Sequence, residues 1–111
     1  MENKIGKVSN AFIVSSGRRV KNGTYITFET NVNVIIGNYV DIKVDNKIHC
    51  FEVMDISIKS KDLSVDACEV GYYSKFDSMK DFDLRNLIDI DVYKITDTER
   101  INKIQKESCY C

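Results

Sequence analysis

The sequence predicts an all-β chain, mainly antiparallel, folded as a barrel or sandwich of six or seven strands with one short helical turn and a short C-terminal helix. Three observations carry this reading. Apolar residues recur with a period of two, as in Val40, Ile42 and Val44 or in Leu63, Val65 and Ala67. The connections between such runs are of hairpin length, which leaves no room for the repeated crossover helices of a parallel sheet. The glycines (Gly6, Gly17, Gly23, Gly37, Gly71) fall mostly between apolar runs, and proline is absent.

Taken in order, Ala11–Val14 reads as a first strand beginning near Lys7, followed by a loop over Ser15–Arg19. Thr24–Thr30 is rich in β-branched and aromatic residues, with Ile26 and Phe28 on one face and Tyr25 and Thr27 on the other. Val32, Val34 and Ile36 alternate with Asn31, Asn33 and Ile35, which predicts a further extended run, and Gly37-Asn38 then supplies a turn. Tyr39–Val44 is an amphipathic strand. Asp45-Asn46, two residues that tolerate positive φ, joins it as a hairpin to Ile48–Ile56. The polar stretch Ser57–Asp62 reads as a second turn, and Leu63–Val70 as the next strand. Between Tyr72 and Leu87 the period changes: Met79, Phe82, Leu84 and Leu87 fit a helical turn, with Ser78 as its N-cap. Ile88–Ile95 alternates again and is expected to be the final strand. Thr96 and Glu99 have capping-box spacing for a helix running to about Lys106, with Ile101 and Ile104 as its apolar stripe.

At 111 residues the chain has the size of one domain, with residues 1–95 forming the β-structure and 96–111 a helix and tail that belong to it. Sixteen Lys and Arg oppose seventeen Asp and Glu, a formal charge of -1, far from the basic excess of proteins that bind nucleic acid by general electrostatics. With 43% apolar and 30% charged residues, usage is that of a globular chain, not of a disordered or collagen-like one. The polar start and the shortness of every apolar run predict neither a secretion signal nor a membrane span, which needs roughly 18 apolar residues. Cys50 and Cys68 sit in strand patterns and Cys109 and Cys111 in a polar tail, so the expectation is a thiol-reduced, cytoplasmic protein. Abundant Ile, Lys, Asn and Asp without Pro or Trp fits an AT-rich coding genome, bacterial or mobile-element in origin.

From Gly6 to Ile95 the order of signals resembles the barrel-forming second domain of translational GTPases. The matching residues are Gly37-Asn38-Tyr39-Val40-Asp41-Ile42, Val53 with Ile56 in the next strand, Glu69-Val70-Gly71-Tyr72-Tyr73, and Phe82-Asp83-Leu84-Arg85-Asn86-Leu87 ahead of Ile88-Asp89-Ile90. The glycine that usually precedes the closing strand in that family is replaced here near Ile88 or Asp89. The resemblance implies a six-stranded Greek-key barrel without catalytic residues, since the nucleotide chemistry of those factors lies in a different domain.

No motif here names a reaction. His49 is the only histidine, which excludes a multi-histidine metal site; it is expected to face solvent, and its neighbour Cys50 to point to the opposite face, so the two make no catalytic dyad. Asp89 with Asp91, and Asp81 with Asp83, have the spacing of paired carboxylates, and Asp89 and Asp91 are read as the polar face of an alternating strand. Cys109-Tyr110-Cys111 could chelate a soft metal, close a strained disulfide or bridge two chains, and its form is similar to the doubly prenylated end of Rab GTPases; it is read as a tail with two unengaged thiols. The expectation is no catalytic residue, no metal and no cofactor.

Two segments stand out as partner-binding. Residues 1–23 carry Lys4, Lys7, Arg18, Arg19 and Lys21 against Glu2, a local +4, and the Arg18-Arg19-x-Lys21 loop suits a phosphate or an acidic partner. Gly71–Phe76 places Tyr72 and Tyr73 beside Lys75, the rigid amphipathic rings favoured at contact surfaces. The function read from these features is a non-enzymatic interaction or accessory module that binds another protein or itself, as a homo-oligomer. The alternative is a barrel binding single-stranded nucleic acid through Arg18, Arg19 and Lys21.

Overall fold

The computed structural model describes residues 3–14, 23–70 and 83–108. Six strands, β1 (Asn3–Val14), β2 (Gly23–Thr30), β3 (Tyr39–Val44), β4 (Lys47–Lys59), β5 (Asp62–Glu69) and β6 (Asp91–Lys94), precede an α-helix, α1 (Thr98–Ser108). They close into an antiparallel barrel in the order β1-β2-β5-β4-β3-β6. Strands β3, β4 and β5 follow one another as hairpins, while β2 lies beside β5 and is connected to β3 across the end of the barrel, which is Greek-key topology.

Alternation does the work the sequence predicts. Ile26 and Phe28 of β2, Val40, Ile42 and Val44 of β3, and Val65 and Ala67 of β5 are buried in one core cluster. Asp45 and Asn46 both adopt positive φ, 52° and 66°, in the hairpin between Val44 and Lys47. A bulge in β4 between Val53 and Asp55 re-phases that strand, so that Val53 is buried in the core and Ile56, three residues on, packs against it.

Both ends of the barrel are filled by side chains from connections. Val34, in the segment crossing from β2 to β3, is buried in the core with Val32 packed beside it, and no strand forms over 31–36 as the alternation had predicted. The valines there point inward as a plug, and Asn31, Asn33, Ile35 and Ile36 are left outside. Leu87, on a 3-10 turn over Leu84–Leu87, is fully buried in the same cluster where β6 begins. Asp83 caps this turn, its side chain accepting the Arg85 N–H. The predicted cap Ser78, with Met79 and Phe82, lies outside the described residues.

The last strand is shorter than its pattern. Asp89 takes φ 71°, and β6 begins only at Asp91, so Asp89 and Asp91 are not two rungs of one strand face. Lys4 reaches Asp91 at 3.2 Å instead. The turn predicted from Ser57 is strand to Lys59, with only Ser60 and Lys61 turning the hairpin. At α1, Asp97 rather than Thr96 accepts the Glu99 N–H, at 3.0 Å. The helix lies on the outside of the barrel, where Ile104 and Ile101 pack with Tyr39, Cys50, Val70 and Ile95 in a second apolar cluster.

Candidate functional site

Arg18, Arg19, Lys21, Tyr72, Tyr73 and Lys75 lie outside the described residues, as do Asp81, Cys109 and Cys111. The described residues that flank 15–22 and 71–82 lie near one another. Val14 pairs with Gly23 at the end of the β1–β2 ladder, and Tyr25 pairs with Cys68, two residues before Val70. Val14, Gly23 and Val70, the described residues next to those segments, therefore lie at the same end of the barrel.

Three places on the described surface carry unusual side chains. The first is the connection from β2 to β3. Ile35 and Ile36 are 65% and 62% exposed, yet the backbone that carries them is fixed. The Ile35 N–H donates to Asn38 Oδ1 and the Asn38 N–H to the Ile35 carbonyl, each at 3.0 Å. The Gly37 N–H donates to the Val53 carbonyl at 3.0 Å, and the Val53 N–H to the Asn38 carbonyl at 2.8 Å. Gly37 takes φ 98°, the left-handed region this turn requires and glycine adopts without strain. Lys94 Nζ adds a bond to the Asn33 carbonyl at 3.2 Å. The result is a pinned turn that holds two large apolar side chains in water. The sequence signal was present as Ile35-Ile36 before Gly-Asn, but alternation assigned Ile36 to a strand face.

The second place is the inner rim at the end where Val14 and Gly23 lie. His49 does not face solvent as expected: its Nδ1 is 3.3 Å from Glu69 Oε2, and both side chains are largely covered. Strand alternation sends His49 to the same side as the buried Phe51 and sends Cys50 to the other, under α1, so the two adjacent residues make no dyad. Their pairing with other groups depends on the register of β4 against β5, which places Phe51 opposite Glu69.

The third place is the seam between α1 and the barrel. Arg100 grips both carboxylate oxygens of Asp41, Nη2 to Oδ1 at 2.8 Å and Nη1 to Oδ2. Beneath the helix, burial pushes the Cys50 thiol up to about 12, with the Asp41 carboxylate adding to the shift and Arg100 opposing it. Burial also raises Tyr39, helped by Glu52, while a hydrogen bond with Gln105 pulls the other way. Cys50 and Cys68 are both buried, and the Cys50 thiol, held protonated in this way, is a poor nucleophile.

Elsewhere Asp83 is held below the usual carboxylate range by its hydrogen bonds from Arg85. Among the described residues, no three His, Cys, Asp or Glu side chains gather as a metal would require, and no helix is long and apolar enough to cross a membrane. No protein-family model matches the chain, and no curated protein and no solved structure is found to match it.

Proposed function

We propose that the chain is a small, non-enzymatic β-barrel module of the cytoplasm that binds another protein or a second copy of itself. The observation that carries this reading is the pinned turn: Ile35 and Ile36 are presented to water by a backbone held through hydrogen bonds to Asn38 and Val53. Exposing two adjacent isoleucines is unfavourable for an isolated chain, and fixing them in one geometry lowers the entropy lost when a partner covers them. The barrel interior is occupied by Phe28, Phe51 and the aliphatic residues around them, which favours recognition on the outer surface. Arg18, Arg19, Lys21, Tyr72, Tyr73 and Lys75 are proposed as further partner-binding residues on the strength of the sequence alone.

The test compares the wild-type protein with Ile35→Asn/Ile36→Asn, reduced, by light scattering alone and in the presence of a cytosolic fraction, RNA and single-stranded DNA. Both side chains are exposed, so the variant's melting is expected to match the wild type within about 0.5 kcal/mol. The expected result is a complex, with itself or with one protein, that the variant loses. A complex with nucleic acid that weakens steeply with salt, and is indifferent to the two isoleucines, overturns the reading in favour of the basic loop.

A further inference from the structure

The barrel is closed, yet β4 is longer than the strand beside it. β3 pairs with β4 only from Val44 opposite Lys47 to Tyr39 opposite Glu52. The pinned turn covers Val53 through Gly37 and Asn38. From Asp55 to Lys59, β4 is paired with β5 on one side, and among the described residues no strand pairs with it on the other.

Which backbone groups face that open side follows from the hairpin. A two-residue turn at Ser60-Lys61 makes Lys59 and Asp62 a hydrogen-bonded pair, and such pairs alternate along an antiparallel ladder. Lys59, Ser57 and Asp55 therefore direct their N–H and C=O groups toward β5. Ile58 and Ile56 direct theirs to the open side. Ile58 is 81% exposed, and Ser57, Asp55 and Lys59 are exposed as well. Among the described residues this strand edge is unpaired and carries an apolar residue, the kind of edge that recruits another strand.

We infer that this edge pairs with the same edge of a second copy of the chain, antiparallel, about a two-fold axis at Ser57. The inference rests on the reading of the protein as an interaction module and names its partner. The argument for a second copy is complementarity. Rotation about Ser57 sets Ile56 opposite Ile58 of the second copy, the two residues whose backbone groups are free, so each such pair exchanges both of its hydrogen bonds. It also sets Asp55 opposite Lys59 of the second copy, twice by symmetry, at the closely spaced positions where opposite charges favour pairing. Lys59 already lies 3.2 Å from Glu29 on its own chain, an exposed bridge that leaves the ammonium able to serve a second carboxylate. The Ser60-Lys61 turn of the second copy then comes to the pinned turn beside Val53, where Ile36 adds apolar area. Five residues of strand are a small interface, so the association is weak and reversible.

The experiment is sedimentation equilibrium on the reduced full chain between about 10 µM and 1 mM, with Asp55→Lys and Lys59→Asp each alone and mixed in equal amounts. Reductant removes any contribution from Cys109 and Cys111. In either variant alone like charges face each other at both symmetric positions, whereas in the mixture each cation again faces a carboxylate. The wild type is expected to shift toward twice the chain mass, each variant to weaken that shift roughly tenfold or more, and the mixture to restore it. Ile58→Pro removes one free N–H without touching the β5 ladder and is expected to stay monomeric while melting cooperatively. A wild type that remains monomeric throughout, or single variants that dimerise like the wild type, overturns the inference. If the monomeric protein still captures another protein through Ile35 and Ile36, the module reading stands without this partner; if it captures none, both fail.

Discussion

Gly6 sits opposite Val92 of β6, two residues before β1 begins to pair with β2 at Val8. A Cβ placed on it would lie 2.5 Å from the carbonyl oxygen of Glu29 and 3.6 Å from a ring carbon of Phe28. Ordinary Cβ contacts begin near 3.4 Å, so Gly6→Ala brings the methyl about 0.9 Å too close to a backbone oxygen. That oxygen cannot swing away as a side chain would, because Glu29 is held in β2, paired with Ser64 of β5. Overpacking typically costs about 1–3 kcal/mol, and a backbone obstacle held in a ladder belongs to the upper half of that range. For a domain of this size about 2–3 kcal/mol lowers the melting temperature by about 8–12 °C.

Gly37→Ala makes the natural comparison, since nothing lies within 4 Å of its Cβ and only its φ of 98° resists a side chain. Its cost is the left-handed penalty alone, roughly 1–2 kcal/mol, and Asn, which tolerates that region, should recover part of it. Asn at position 6 should recover nothing. The assay is thermal unfolding followed by circular dichroism on the four variants. A Gly6→Ala protein that melts within about 2 °C of the wild type, or no lower than Gly37→Ala, would refute the steric account of this crossing.

Two further outcomes follow from the seam beneath α1. The Cys50 thiol stands at about 12 in the folded protein against 9.0 for the free group, so between those values the folded state holds a proton the unfolded state has lost. Stability at this site is intact below pH 9 and falls as pH rises toward 12, by up to about 1.4 kcal/mol per unit; Cys50→Val should flatten that decline in urea titrations, leaving the smaller contribution of Tyr39. Arg100→Ala removes the bidentate hold on Asp41 and should cost about 1 kcal/mol, the charges being partly exposed. Amide exchange should quicken across α1 while the β4 and β5 amides stay protected; uniform quickening would mean the helix is integral to the barrel.

What was legible in the sequence is what local patterns encode. β3 was readable to its ends because alternation over Tyr39–Val44 is bounded by Gly37-Asn38 and Asp45-Asn46, residues that turn a chain by their own backbone preferences. The same alternation misled at Val32–Ile36, because period two reports which side chains are covered and not whether a neighbouring strand covers them. The end of β4 was hidden for the opposite reason: Ser57 and Lys59 look like a turn because they face water, although β5 keeps them in a ladder. The His49–Glu69 contact joins residues twenty apart and depends on the register set by β4 and β5, which no local motif announces. The exposed isoleucines were visible as residues but not as a surface, since apolar residues in a barrel are expected inside.

The bulge at Met54 ties these features together. Without it, Val53 and Ile56 would fall on opposite faces of β4, and either the core would lose an aliphatic residue or the strand would have to end near Val53, where β3 ends beside it. With the extra residue the strand keeps its apolar face inward past the point where its neighbour stops. The barrel thereby gains Ile56 against its core and, as the complement, carries a β4 edge that no strand among the described residues covers. In most sheets such an edge is blunted by proline or by an inward charge. This chain has no proline, and the charges it places there, Asp55 and Lys59, are of opposite sign and symmetric about Ser57. Two like charges at those positions would repel a second copy, whereas this pair selects for one, so the device that completes the core also sets the terms on which the surface is met.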